Sequence, residues 1–231
     1  MSTFHYCDFR RGKYWHTYQS MESRLSTISR YILIDPDNND IYSEELAEFL
    51  ISIGSAIDTF FRNMSDCPSI KQHMTTLGIV KSSDDLNMTD YRDFSESYYE
   101  LSSLTVSVPF GLGKSQDIHP FREFKNNKSP DWWISYNHVK HDYHKNIKEA
   151  KLINVLNGLG GLLLLNTFHD CNQQYLFHLG IYQDQNGVLS IRDAENAFIF
   201  TPKGTTGYRD SGDFVFVRTN LFFFRFPNYE P

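Results

Sequence analysis

Asn137, His141, His144 and Lys148 are the residues of this chain whose types and spacing suit chemistry best. On an α-helix, at about 100° per residue, they fall within a stripe roughly 60° wide. The residue types complement one another: an imidazole moves protons near neutral pH, an amide orients a polar group, and an ammonium steadies phosphate charge. Lys140 adds a second cation beside His141. Trp132, Tyr136, Val139, Tyr143 and Ile147 form a separate apolar stripe. The spacing therefore predicts a helix that anchors through one face and works through the other. The competing assignment gives Asn137 and His141 a structural role, satisfying buried polar groups between helices. His138, His141 and His144 recur every third residue and spread over about 120° of helix, which does not aim three imidazoles at one ion. No metal site and no cofactor are expected.

Three other segments invite a chemical reading and fail it. Phe110-Gly111-Leu112-Gly113-Lys114-Ser115 ends in the Gly-Lys-Ser of a phosphate-binding loop, but Val108 stands where the first glycine is required. An ordinary glycine turn is expected there. Trp132 and Trp133 are adjacent, so they point about 100° apart and at least one belongs to the core. The run Phe222-Phe223-Phe224 reads as a strand packed on the rest of the molecule or at a subunit interface.

The elements that must position these residues are mostly helical. Apolar residues at helical spacing predict a helix over 18–34, stopped by Asp35-Pro36-Asp37-Asn38-Asn39-Asp40. Ser43 is a natural N-cap for a helix carrying Leu46, Phe49, Leu50, Ile53, Ile57 and Phe60 toward Met64. A short helix follows over 69–77, and Thr89 or Asp90 caps another that runs through Tyr99. Residues 101–110 read as extended and 111–130 as a loop. Pro130 opens the aromatic helix at its first turn, which continues to Ala150 or breaks near Asn146. A long helix over 149–169 comes next, and Gly158, Gly160 and Gly161 let another helix approach it closely.

From Gln174 onward the pattern turns β-like: 175–182, a hairpin turn at Asn186-Gly187, 188–191, 198–200 and 214–226. The fold class is mainly α: a helical bundle over 1–172 with a small C-terminal antiparallel β appendage over 173–231.

With 231 residues, 40% hydrophobic and 16% aromatic, the chain buries a substantial core. A formal net charge of −6 argues against nonspecific coating of nucleic acid. Locally the balance reverses, with Lys140, Lys145, Lys148 and Lys151 against Asp142 and Glu149. Cys7, Cys67 and Cys171 include no Cys-x-x-Cys pair and suit free thiols in a reducing compartment. With no apolar N-terminal signal, a cytoplasmic protein is expected. The Leu-rich stretch 152–168 is interrupted by Asn154, Asn157 and Asn166, so a buried helix is expected there and no membrane span.

Trp133-x-x-Tyr136-Asn137-x-Val139-Lys140-His141, followed by Asn154-Val155-Leu156-Asn157-Gly158-Leu159, resembles the core of HEPN-type helical domains. The helix from Tyr42-Ser43 to Ile57-Asp58 also resembles the upstream part of a largely uncharacterised bacterial group of this kind. The resemblance implies an all-α, HEPN-like bundle that forms a homodimer and acts as a metal-independent ribonuclease in bacterial stress or phage defence. RNA and an antitoxin or defence-system protein are its implied partners. The family motif places an arginine and a polar residue a short spacer before a histidine. His141 matches the histidine, whereas Ile134, Ser135 and Tyr136 offer no arginine, leaving Asn137 and Lys140. On this pattern His141 activates a 2′-hydroxyl or protonates the leaving oxygen, Lys140 or Lys148 stabilises phosphate, and Asn137 orients the phosphate or His141. A dimer supplies the second histidine, with His144 beside the first. The alternative is a catalytically inactive oligomerisation or protein-interaction module.

Overall fold

The computed structural model describes residues 12–110, 113–169, 172–173, 175–176, 179–184, 187–188, 199–201, 204–206 and 216–225. It is mainly helical. Helix α1 spans Lys13–Ile28 and ends before the expected Ile34. Beyond it the side chain of Ser29 takes up the Ser26 carbonyl at 2.8 Å, a local bond that competes with helix continuation. Helix α2, Glu44–Ser65, begins at the expected cap, where Ser43 Oγ accepts from the Leu46 N–H at 3.1 Å. Helix α3 spans Pro68–Thr76 and α4 spans Met88–Tyr99. The cap of α4 is Asn87, not Thr89 or Asp90. Asn87 Oδ1 accepts from Thr89 N at 2.9 Å while Asp90 Oδ2 accepts from Asn87 N at 2.9 Å, a reciprocal capping box.

Strands β1 (Val106–Phe110) and β2 (Lys114–Ile118) follow as an antiparallel hairpin with Phe110 opposite Lys114. The Gly-Lys-Ser segment is thus a hairpin turn running into a strand, and Gly113 sits at φ +71°. The segment expected to be an irregular loop holds β2 and a 3-10 turn at Arg122–Asn126. Helix α5 spans Asp131–His141, α6 is the four-residue turn Tyr143–Asn146, and α7 spans Leu152–Phe168. Pro130 is the residue before α5, one position earlier than expected.

Helix α7 is apolar on nearly every side and lies at the centre, packed on α1, α2, α5 and β2. Its glycines set the closeness of these contacts. A Cβ on Gly158 would lie 2.9 Å from Ile53 of α2, as expected of a helix neighbour, whereas one on Gly160 would lie 2.8 Å from Ile118 of β2. Both Trp132 and Trp133 are buried, edge to face, with Trp132 Nε1 donating to the Pro120 carbonyl at 2.7 Å. Among the described residues no helix is long and apolar enough to cross a membrane.

The remaining strands are β3 (Tyr182–Asp184), β4 (Gly187–Val188), β5 (Ile199–Thr201), β6 (Gly204–Thr206), β7 (Phe216–Arg218) and β8 (Phe223–Arg225). Asp184 pairs with Gly187, so the hairpin expected at Asn186-Gly187 is present, although Asn186 itself lies outside the described residues. Residues 175–176, expected to be extended, are helical, as are 172–173. There Asn172 Nδ2 donates to the Asn166 carbonyl at 2.9 Å and Gln173 Nε2 to that of Thr167 at 3.3 Å, closing the C-terminal end of α7. The main sheet has the order β2-β1-β8-β7-β3-β4, and β5-β6 form a separate pair. The C-terminal strands are thus added to the β1-β2 hairpin, with Ser107 opposite Phe223.

Glu22 fastens that addition to α1. Its carboxylate is 3% exposed and accepts from Tyr18 OH at 3.0 Å, from Leu221 N at 3.1 Å and from the hydroxyl of Thr219. Cys67, buried where α2 gives way to α3, is disulfide-bonded. It is therefore not the free thiol that the spacing suggested, because spacing says nothing about pairs brought together from distant parts of a chain.

Candidate functional site

The aromatic helix does not carry the expected four-residue stripe. Helix α5 ends at His141, and Asp142, at φ −146° and ψ 82°, takes the chain out of the helix. Two side chains stabilise the break: Asp142 Oδ1 accepts from Lys145 N at 3.4 Å, and Asn146 Nδ2 donates to the His138 carbonyl at 2.9 Å. His144 and Lys148 therefore follow the break, in α6 and in a 3-10 turn, rather than stacking above Asn137. His141, His144 and Lys148 are exposed. His138 pairs with Glu149 at 2.8 Å.

Asn137 and Lys140 take a different setting. Both line an open cavity of about 420 Å³ whose other walls are Asp58 and Arg62 of α2, Leu86, the N-terminus of α4 from Asn87 to Thr89, and Trp133 and Tyr136. The structure thus gathers two of the five expected site residues and leaves His141, His144 and Lys148 outside the cavity wall.

An arginine enters from α2. Arg62 Nε donates to Asp58 Oδ2 at 3.0 Å, and Nη1 reaches the carbonyl and Oδ1 of Asp84 at 3.4 Å. Nη2 has no hydrogen-bond partner among the described residues. The neighbouring Asp58 carboxylate raises the affinity of the guanidinium for its proton further, so the group is a permanent cation. Asp58 Oδ1 accepts from Tyr91 OH at 3.1 Å. Burial first, and the Asp58 charge second, push the Tyr91 phenol upward, so it remains a donor. On the opposite wall Lys140 Nζ donates to Tyr136 OH at 3.0 Å and lies 5.2 Å from the centre of that ring. Asn137 Nδ2 donates one N–H to the Trp133 carbonyl at 3.0 Å, and the amide carries a second N–H.

Arg62, paired with both Asp58 and Asp84, and Lys140 on the facing wall, together with an amide N–H and the hydroxyl of Thr89, supply donors for an anion such as a phosphate. Arg62 and Asp58 lie on a different helix from His141, so the spacing of a motif within one helix does not find them. The signal present was the Asp58/Arg62 pair at i,i+4, which sets both on one side of α2.

A second histidine is notable for its burial. His169, 1% exposed, has Nε2 3.3 Å from Cys67 Sγ, and burial pushes its pKa down to about 3. Among the described residues no three His, Cys, Asp or Glu side chains gather to hold a metal ion. No protein-family model, no curated protein and no solved structure matches this chain.

Proposed function

We propose that this chain is a HEPN-like RNA-handling protein of bacteria, in which the cavity between α2, α4 and α5 receives a phosphate of the RNA backbone. The observation that carries the reading is the meeting of Arg62 with Asn137 and Lys140 across one cavity. The exposed His141, His144, Lys145 and Lys148 extend the polar surface from the end of α5, and neither Lys145 nor Lys148 forms an ion pair among the described residues. Phosphate contacts of this kind give affinity without sequence preference.

In the ribonuclease form of this proposal, His141 takes the proton of a 2′-hydroxyl. That oxygen attacks the adjacent phosphorus, the bond from phosphorus to the 5′ oxygen breaks, and the 5′ oxygen leaves with a proton from a second histidine. A homodimer supplies that second group, and an antitoxin or defence-system protein restrains the activity. The test is metal-free cleavage of a structured-RNA pool by wild type and by folded His141→Ala. Cleavage lost with binding retained is the expected result, and cleavage by the variant refutes the catalytic role.

The second reading is a catalytically inactive interaction module. It is favoured by the helix break that sets His144 beyond α5 and by His141 lying outside the cavity wall that Asn137 lines. Binding of RNA without cleavage by wild type, under conditions where the dimer forms, selects it; absence of RNA binding removes the RNA proposal altogether.

A further inference from the structure

We infer that Tyr91 and Asp58 are positioning residues that hold Arg62 ready at the cavity wall for a phosphodiester of single-stranded RNA. The inference rests on the RNA reading for its ligand, though not for its geometry. Asp58 uses its two oxygens separately: Oδ1 accepts from Tyr91 OH at 3.1 Å and Oδ2 from Arg62 Nε at 3.0 Å. Tyr91 is 0% exposed, and its ring lies flat on Phe61, with centroids 4.7 Å apart and planes 9° apart, while Phe94 meets it edge to face at 6.2 Å. Packing therefore fixes the phenol, the phenol fixes the carboxylate, and the carboxylate fixes the Nε edge of the guanidinium. Nη2 has no hydrogen-bond partner among the described residues, and the Tyr91 phenol also acts on Arg62 directly.

An unrestrained arginine surrenders rotamer freedom when it closes on a ligand, and one already pinned surrenders less. The same arrangement recurs on the facing wall. Lys140 Nζ is anchored at 3.0 Å on the phenol of Tyr136, a 2% exposed ring packed against Gly54. Each wall thus presents a cation seated on a buried phenol, directly at Tyr136 and through Asp58 at Tyr91.

Tyr91→Phe tests this, because it removes one oxygen and keeps the ring stack. Its Kd for a short fluorescent single-stranded RNA is expected to rise about tenfold, the loss of one hydrogen bond to a charged group. In an Arg62→Ala background the same substitution should leave Kd unchanged, since its effect passes through the arginine. An equal loss in both backgrounds overturns the positioning role.

A readout independent of RNA is exchange of the Arg62 Nε proton, followed by NMR on arginine-labelled protein. It is expected to be slow in wild type and faster in Tyr91→Phe; equal rates overturn the proposal. Asp58→Asn, which keeps the shape and loses the charge, should also speed this exchange and serves if Tyr91→Phe fails to fold. Wild type that protects this proton yet binds no RNA refutes the RNA reading while the positioning role stands.

Discussion

Arg62 is held through Nε by Asp58 and through Nη1 by Asp84, which among the described residues leaves Nη2 for a ligand. If Nη2 meets RNA phosphate, Arg62→Ala weakens RNA binding uniformly across sequences and lowers the slope of log Kd against log salt by about one. Fluorescence anisotropy over a salt series measures this, and an unchanged slope removes Arg62 from the interface. His169 belongs to stability rather than to the site. Its folded value of about 3 lies below the ordinary 6.5, so between these values the unfolded chain binds a proton that the folded chain refuses. The contribution is intact above 6.5 and is lost as pH falls toward 3, by about 1.4 kcal/mol per pH unit. Urea unfolding over this range should show a steeper acid loss in wild type than in folded His169→Gln, and equal slopes would contradict the burial effect.

Helices α2 and α5 decide whether the cavity exists. They cross where Gly54 faces Tyr136, and a Cβ at Gly54 would overlap the tyrosine ring. Gly54→Ala should therefore cost about 1–3 kcal/mol through overpacking. It should also weaken RNA binding, because Tyr136 anchors Lys140. Thermal melting and the RNA titration check the two effects, and a melt like that of wild type would show that Tyr136 has room to move. The Ser43 cap of α2 was legible because capping chemistry is local. The end of α5 was not, because Trp132 to Ile147 carries helical periodicity across it. Only the bonds from Asn146 to the His138 carbonyl and from Lys145 N to Asp142 reveal the break.

At the scale of the whole molecule, strands from the middle of the chain and from its C-terminal part complete one sheet, with β8 lying against β1. Glu22 ties the β7-β8 turn to α1, so residues 216–225 are joined to the bundle by side chains as well as by pairing. Glu22→Ala strips a buried acceptor from Tyr18 OH and Leu221 N and should cost about 3 kcal/mol. Denaturant unfolding measures it; a change within about 0.5 kcal/mol, the range of an ordinary surface substitution, would show that the anchor is dispensable.

The sequence by itself determined what is short-range. Ser43 as a cap, the amphipathic face of α2, the all-round apolar α7 and the hairpin turn between β3 and β4 depend on neighbours a few residues away. Tertiary structure alone decided which distant groups meet. Arg62 and Lys140 stand 78 positions apart and Ser107 and Phe223 stand 116 apart, yet the first pair lines one cavity and the second pairs across one sheet. Periodicity reports which face of an element is buried, not which other element buries it. The partner is chosen by packing, here by Gly54 admitting Tyr136 and Gly158 admitting Ile53.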